Sequence, residues 1–227
     1  MANKYGITEF KTMEQKGMSV NGKTMNQQGK AGIWLGLLLG MITTFWGCKP
    51  EKHYTHPHVQ IETTLGYIEL ELYPEKAPKT VAAFLSYVDS GYYKRASFYR
   101  VLNDLNQPMN APKTELVQGG IWKTNNQLAT SVPGIPHEST KATGLRHEAG
   151  TVSLARMAPG TAGTEFFICM EREPGLDYGG ANMDDKQGFA AFGKVVKGMD
   201  IVEKIYNGSD YNQYLDPPIV IFNIRRL

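Results

Sequence analysis

Cysteine is scarce in this chain, which limits the chemistry that a thiol could support. Only two of the 227 residues are cysteine, Cys48 and Cys169. Cys169 follows the apolar run Phe166-Phe167-Ile168, where a small buried thiol is ordinary, and no histidine lies near it in the sequence to activate it. We therefore expect Cys169 to be a core residue and not a catalytic nucleophile.

The chain also lacks a basic patch. Its formal net charge is +2, but residues 1–30 hold five lysines and two glutamates, a net of +3, which leaves −1 for the rest. No cluster of lysine and arginine with interleaved aromatic residues occurs in residues 58–227. Because nucleic-acid binding normally requires a basic face, the composition excludes a nucleic-acid partner.

One long apolar run is present, and it lies near the N-terminus. A lysine-rich stretch is followed by the run 31–47 and then by Cys48, an order typical of an export signal. Gly47, directly before Cys48, resembles the last residue of a bacterial lipobox, in which the cysteine becomes the lipidated first residue of the mature protein. We predict a leader over residues 1–47, lipidation of Cys48 and a tether over residues 48–57.

An uncleaved signal anchor is the alternative. The apolar run is 17 residues long, at the short end of what a helix needs to span a bilayer, and the lysines precede it, as the positive-inside rule asks. Both interpretations anchor the domain to a membrane outside the cytoplasm, in the periplasm or at the cell surface. If Cys48 is lipidated, Cys169 has no disulfide partner.

The tether is rich in charge, proline and histidine and shows no periodicity that would indicate packed structure. His53, His56 and His58 form a His-x-x-His-x-His pattern that could bind a metal. No carboxylate or thiolate follows at a familiar ligand spacing. We interpret the segment as a hydrated linker and assign no metal site.

Short runs with period-two alternation dominate the sequence from Val59 onward. Within one run, Ile68, Leu70 and Leu72 share a face, as a half-buried strand requires. No internal repeat or low-complexity segment occurs. Eight such runs predict a mainly β fold, a closed eight-stranded antiparallel barrel with a side-chain-filled interior. The runs are 59–63, 67–73, 97–102, 115–121, 151–155, 165–170, 189–195 and 218–224.

Two helices are predicted between the strands. The first begins near Pro78, ends by Gly91 and has apolar residues at positions i, i+3, i+4 and i+7. The second covers residues 199–206, with an apolar stripe of Ile201, Val202 and Ile205.

Seven short motifs occur in a fixed order along residues 58–227. They are Ile61-Glu62-Thr63-Thr64-Leu65-Gly66-Tyr67-Ile68, Ala77-Pro78-Lys79-Thr80-Val81, Phe98-Tyr99-Arg100-Val101, Gln118-Gly119-Gly120, Gly150-Thr151-Val152-Ser153-Leu154-Ala155-Arg156, Phe166-Phe167-Ile168 and Phe192-Gly193-Lys194-Val195. In this order they resemble the cyclophilin-type peptidyl-prolyl cis-trans isomerases, in a bacterial lipoprotein form. The resemblance implies an eight-stranded barrel capped by two α-helices and an activity that accelerates rotation about X-Pro bonds.

The candidate site combines a guanidinium, an amide and an aromatic ring from separate strands. Residues two apart on a strand share a face, so Gln118 lies beside Leu116, and Phe167 lies beside Glu165. With Arg100, these groups can hold a prolyl ring and polarise the amide in front of it. We assign catalytic roles to Arg100 and Gln118, and the pocket implied by the resemblance supplies the substrate-binding residues. They are Phe167, Leu116, Ala155, Arg156, Glu165, Leu176 and Phe189.

Prolyl isomerisation makes and breaks no covalent bond, so the site needs no cofactor, metal or nucleophile. The partners implied are proline-containing peptides and unfolded exported proteins. Two alternatives stay open: a catalytically weak peptide-binding or chaperone module of the same fold, and an envelope scaffold lipoprotein.

Three features depart from the family pattern. Glu165 stands where glutamine is usual, and its carboxylate could pair with Arg100 and compete with the substrate carbonyl, so Glu165→Gln is expected to raise the rate or leave it unchanged. Tyr99 replaces a more common histidine. Residues 101–117 are about ten residues longer than the corresponding segment of compact members, and form either a lip over the site or an inert surface loop.

Overall fold

The computed structural model describes residues 53–227, and within that range the chain has nine strands and four α-helices. No helix in this part of the chain is both long and apolar enough to cross a lipid bilayer. The strands are β1 (His58–Thr63), β2 (Gly66–Leu72), β3 (Ala96–Leu102), β4 (Leu116–Gly120), β5 (Thr151–Leu154), β6 (Phe166–Cys169), β7 (Ala190–Lys197), β8 (Asp210–Tyr211) and β9 (Tyr214–Arg226). The helices are α1 (Pro78–Asp89), α2 (Asn126–Ser131), α3 (Thr140–Thr143) and α4 (Met199–Tyr206), and a short 3-10 helix covers Pro174–Leu176.

Eight antiparallel strands form a closed barrel. Their order is β1-β2-β7-β5-β6-β4-β3-β9, and β9 returns to pair with β1, so the sheet has no free edge there. The two-residue strand β8 adds to β9 outside this ring. The predicted closed eight-stranded antiparallel barrel is confirmed.

Alternation along the strands fills the barrel interior. Ile68, Leu70 and Leu72 of β2 are fully buried and belong to one continuous apolar core. Helix α1 contributes Phe84, whose ring lies 5.0 Å from the ring centre of Phe192 and 5.9 Å from that of Phe166. A side chain of α4 packs against the β1–β2 turn, since a Cβ on Gly66 would lie 2.8 Å from Cδ1 of Ile201.

The two predicted helices are confirmed as α1 and α4, and the differences from the sequence prediction have physical reasons. Strand β9 begins at Tyr214 and not at residue 218 as predicted. The prediction missed its first residues because Pro217 and Pro218 interrupt the alternating pattern, and proline is unusual inside a strand. Helices α2 and α3 have six and four residues, too few to show an apolar stripe. The start of α2 is marked instead by Asn125, whose side chain accepts a hydrogen bond from the backbone N–H of Leu128.

The end of the predicted tether contacts the barrel. His56 Nδ1 lies 3.0 Å from Glu71 Oε1, and His58 Nδ1 lies 2.9 Å from Glu69 Oε1. The Tyr54 ring stacks on His58 with ring centres 3.8 Å apart. The interpretation as a hydrated linker is therefore wrong for His56, and His58 is the first residue of β1. The predicted leader, the lipidation of Cys48 and the first part of the tether lie outside the described residues.

Candidate functional site

Three neighbouring strands bring the predicted site residues into one row. Arg100 of β3 is directly opposite Gln118 of β4, and Gln118 is directly opposite Phe167 of β6. Residues that face each other in an antiparallel pair point to the same side of the sheet. The guanidinium, the amide and the ring therefore lie side by side on the outer face of the barrel.

A β-bulge at Tyr99 adds a fourth side chain to this face. The register of β3 against β4 shifts between Phe98 and Arg100, so Tyr99 has no partner of its own on β4. Bulges redirect a side chain that would otherwise point to the opposite face. Here the bulge lets Tyr99 and Arg100, which are adjacent in sequence, both contact Gln118.

Arg100 is held by two neutral amides. Its Nη1 donates to Gln118 Oε1 at 3.1 Å, and its Nε and Nη2 both donate to Gln213 Oε1, at 3.1 and 2.6 Å. The pairing of Arg100 with Glu165 that the sequence allowed does not form. No carboxylate in residues 53–227 forms an ion pair with Arg100, so its charge is not neutralised within the site.

Glu165 is bonded elsewhere. Its Oε2 accepts from the Tyr99 hydroxyl at 2.8 Å, and its Oε1 accepts from the backbone N–H groups of Ile121 and Trp122 at 2.9 and 3.0 Å. Burial raises the pKa of Glu165, against these hydrogen bonds, which lower it. Only glycine fits at position 120, because a Cβ there would overlap the Glu165 carboxylate.

The polar groups form one directed chain of hydrogen bonds. Arg100 donates to Gln118, the Gln118 amide nitrogen donates to Tyr99 Oη at 2.8 Å, and Tyr99 donates to Glu165. The acceptor at the end of the chain sets the direction of every bond before it. Arg100, which can only donate, and Glu165, which accepts at the other end, therefore both favour the oxygen of Gln118, and not its nitrogen, facing Arg100.

These residues line a groove of about 720 Å³. Its apolar floor is formed by Leu116, Phe167 and Leu176, with Ala155 and Phe189 packed against them. These residues and the buried Cys169 form a cluster separate from the barrel core. All nine residues assigned to the site from the sequence line the groove, as do several that were not assigned. The unassigned ones include Tyr99, Trp122, Met157, Thr161 and Tyr214.

Arg156 lines the groove but does not offer it a free cation. Its guanidinium makes two bonds to the Asp185 carboxylate, at 2.6 and 2.8 Å, and a third to the carbonyl of Gly188 at 2.8 Å. The Arg156 hydrogen bond lowers the pKa of Asp185 to about 2. The side chain therefore ties the 177–188 loop to the groove wall, a role different from the substrate contact that the sequence predicted.

Phe167 is supported from behind by a buried polar group. Its ring stacks on His147 with centres 6.0 Å apart, and His147 bonds Asp177 Oδ1 at 2.8 Å and Ser153 Oγ at 3.1 Å. Serine, histidine and aspartate occur together in hydrolases, but His147 and Ser153 are fully buried here. No substrate can reach them, so the group positions Phe167.

Cys169 is confirmed as a buried residue, and burial raises the pKa of its thiol.

The insertion 101–117 borders the groove. Gln107 and Thr114 lie in the groove wall, and the Gln107 amide bonds the carbonyls of Asn103 and Thr114, both at 2.8 Å, which fastens the loop to itself. The insertion also touches the β8–β9 turn through Asn106. Of the two alternatives, the geometry favours a lip over an inert loop.

Comparison with known proteins agrees with this architecture. Residues 58–226 match the family described as cyclophilin type peptidyl-prolyl cis-trans isomerase/CLD. Peptidyl-prolyl cis-trans isomerase A of Dickeya dadantii is 35% identical over 173 residues, which cover 74% of this chain and 83% of that protein. A peptidyl-prolyl cis-trans isomerase of Acinetobacter baylyi is 37% identical over 164 residues, or 70% of this chain and 78% of that protein.

A solved structure supports the fold. The cyclophilin type peptidyl-prolyl cis-trans isomerase of Cryptosporidium parvum aligns with a TM-score of 0.58 at 24% identity, over 75% of this chain and 97% of that chain. With the matched profile, the bacterial relatives and the closed barrel in agreement, the chain belongs to the cyclophilin-type peptidyl-prolyl cis-trans isomerases.

Proposed function

We propose that the groove binds an X-Pro segment and that Arg100 accelerates rotation about its peptide bond. The observation that carries this proposal is the row of Arg100, Gln118 and Phe167 across three strands. An unneutralised guanidinium stands at one end of the row and an apolar floor at the other. A proline residue has an apolar ring beside a polar amide, so its ring can contact the apolar floor while its amide faces the guanidinium.

The chemistry follows from the electronic structure of the amide. Rotation must break amide resonance, and the barrier without a catalyst is about 18–20 kcal/mol. In the twisted state the prolyl nitrogen regains its lone pair, so a fixed donor near that nitrogen or the carbonyl oxygen stabilises the twisted state more than either planar form. Arg100 is held by two amides, so its guanidinium is a preorganised donor.

The apolar floor holds the ring while the preceding residue turns. Leu116, Phe167 and Leu176 are each at most 5% exposed and form one cluster. The Cryptosporidium parvum protein has been crystallised in the presence of the dipeptide Ala-Pro. By analogy, we place the prolyl ring of the substrate against Phe167.

The test is an isomerisation assay of the full-length chain on an Ala-Pro-containing peptide. X-Pro bonds interconvert in tens to hundreds of seconds at 25 °C without a catalyst, and we expect catalytic amounts of the protein to shorten this in proportion to its concentration. Peptide-induced shifts in the protein's NMR spectrum without faster interconversion would contradict the proposal and favour the binding module. That alternative relied on the 101–117 insertion and on Glu165 competing for Arg100, but Glu165 is bonded to Tyr99 and not to Arg100.

We further propose that the substrates are unfolded exported proteins and that lipid on Cys48 anchors the chain outside the cytoplasm. The support is the order of lysines, apolar run and Gly47-Cys48 in the sequence. Mass spectrometry of the mature protein is expected to show a lipid-modified Cys48 as the first residue. A mature chain that retains residues 1–47 and carries no lipid would contradict this and favour the signal anchor.

A further inference from the structure

Gln213 contacts the proposed catalytic group more closely than any residue assigned from the sequence. It lies in the turn between β8 and β9, 113 positions from Arg100. Its Oε1 accepts from both Nε and Nη2 of Arg100, at 3.1 and 2.6 Å, so one edge of the planar guanidinium rests on a single oxygen. A donor held at one edge cannot rotate about its long, flexible stem.

The orientation of the Gln213 amide is itself fixed. Its Nε2 donates to the backbone carbonyl of Asn106 in the insertion at 3.1 Å, which leaves the oxygen facing Arg100. The Asp210 carboxylate joins the two segments, because its Oδ2 accepts from the backbone N–H of Gln213 at 3.0 Å and from the Asn106 amide at 3.2 Å. A reversed amide would place its oxygen against the Asn106 carbonyl and its nitrogen against the guanidinium, and neither pair could form a hydrogen bond.

The backbone of Gln213 is also docked against β3. Its carbonyl accepts from the N–H of Val101 at 2.8 Å, directly after Arg100. Asn212 and Gln213 have φ values of 51° and 74°, a left-handed conformation that is unfavourable for residues other than glycine. The turn therefore holds an uncommon conformation at the point where it presents Gln213 to Arg100.

Three of the five N–H donors of Arg100 are used by Gln118 and Gln213. The other two, one on each terminal nitrogen, have no protein acceptor among residues 53–227. We propose that Gln213, oriented by Asn106 of the insertion, is a positioning residue that aims these two donors at the twisted X-Pro bond. This rests on the proposed function of Arg100, and it gives the 101–117 insertion a role in the reaction.

The test compares Gln213→Leu with wild type in the full-length chain. We expect kcat to fall about fivefold while KM changes less than about twofold, since the guanidinium loses its fixed edge but the apolar floor is intact. The Arg100 Nε–H resonance is expected to move and to lose its protection from exchange with water. Gln60→Leu is the matched control, because it removes a Gln–Arg hydrogen bond, to Arg225 at 2.7 Å, on the exposed surface.

Further variants separate the possible failures. Gln213→Glu keeps an acceptor for the guanidinium edge and is expected to restore the Nε–H signal, although it cannot donate to Asn106. In an Arg100→Lys background, Gln213→Leu is expected to cause no further loss, because lysine has no planar edge to hold. An unchanged kcat in Gln213→Leu, or a loss that persists in the Arg100→Lys background, overturns the inference. Full activity in Arg100→Lys also overturns the inference, whereas full activity in Arg100→Ala would mean that the proposed role of Arg100 fails instead.

A fall in kcat that only reflects unfolding is recognised by melting temperature. We expect the Tm of Gln213→Leu to stay within a few degrees of the Gln60→Leu control. A kcat loss that disappears when the assay is run well below the Tm of the variant would also overturn the positioning role.

Discussion

Replacing Arg100 by alanine is expected to lower kcat/KM for an Ala-Pro peptide by about 100-fold or more, the usual effect of deleting a preorganised transition-state donor. The peptide Kd is expected to change less than about threefold, because most ground-state contact is with the apolar floor. An exchange experiment by NMR at saturating peptide measures the rate, and a titration measures Kd. A tenfold weaker Kd with an unchanged rate at saturation would contradict the donor role.

Two variants show which property of Arg100 matters. Arg100→Lys keeps the charge but cannot bond Gln118, Gln213 and the substrate in one plane, so it is expected to lose about tenfold or more in kcat. Arg225→Ala removes an exposed arginine that also bonds a glutamine, and is expected to be neutral. Full activity in Arg100→Lys would show that charge alone suffices.

Glu165→Gln is expected to lower kcat by about tenfold, in contrast to the expectation from the sequence, because one buried group must lose its partner, at about 1–3 kcal/mol. If the new amide oxygen accepts from the N–H groups of Ile121 and Trp122, its nitrogen points at Tyr99. The Tyr99 hydroxyl then either has no acceptor or turns towards Gln118, whose reversed amide would present nitrogen to Arg100. The rate and the Gln118 side-chain amide resonances are the measurements.

The control for this variant is Glu115→Gln, since Glu115 accepts from the Tyr206 hydroxyl at 2.9 Å in a second tyrosine–glutamate pair. A double-mutant cycle with Tyr99→Phe tests the chain directly. Adding Glu165→Gln to Tyr99→Phe is expected to reduce kcat less than it does in wild type, because the link to Gln118 is already broken. Equal losses in both backgrounds, or a Glu165→Gln enzyme as fast as wild type, would exclude the directed chain.

The same carboxyl makes stability and activity respond to pH in opposite directions. Burial raises the pKa of Glu165 in the folded protein, so folding favours the neutral acid. Its contribution to stability is present below the pKa of the unfolded chain and is lost as pH rises through the folded-state pKa. We expect kcat to rise between these two pKa values of Glu165, since only the ionised carboxylate can accept from all the groups that donate to it. Glu165→Gln is expected to remove both changes, measured by denaturant titration and by the pH profile of kcat.

Most of the correct predictions from the sequence rest on the alternation of side chains between the two faces of a strand. Period-two alternation placed Phe166 and Ile168 inside the barrel and Phe167 outside it, and the structure assigns them to the barrel core and the groove floor in that way. Motif order then placed Arg100 and Gln118 on neighbouring strands. These inferences succeed because alternation is a property of local backbone geometry.

The errors and omissions concern contacts that local geometry does not determine. Tyr99 follows the wrong parity because of the bulge, which the sequence does not mark. Gln213 lies in a turn far along the chain, and its contact with Arg100 depends on how the barrel closes. The sequence suggested Arg100 as a partner for Glu165. In the structure Gly120 leaves room for the Glu165 carboxylate, which accepts hydrogen bonds from backbone N–H groups instead.

Strand β6 divides its four residues between two sides of the sheet: Phe166 and Ile168 fill the barrel, and Phe167 and Cys169 belong to the cluster under the groove. Deletion of one codon in this strand would exchange the two sets of side chains between the faces of the sheet, so the protein would lose its fold and its activity at the same time. Directed evolution of substrate preference at position 167 therefore requires that positions 166 and 168 are held constant. In a library that randomises positions 166 to 169 together, most chains are expected not to fold.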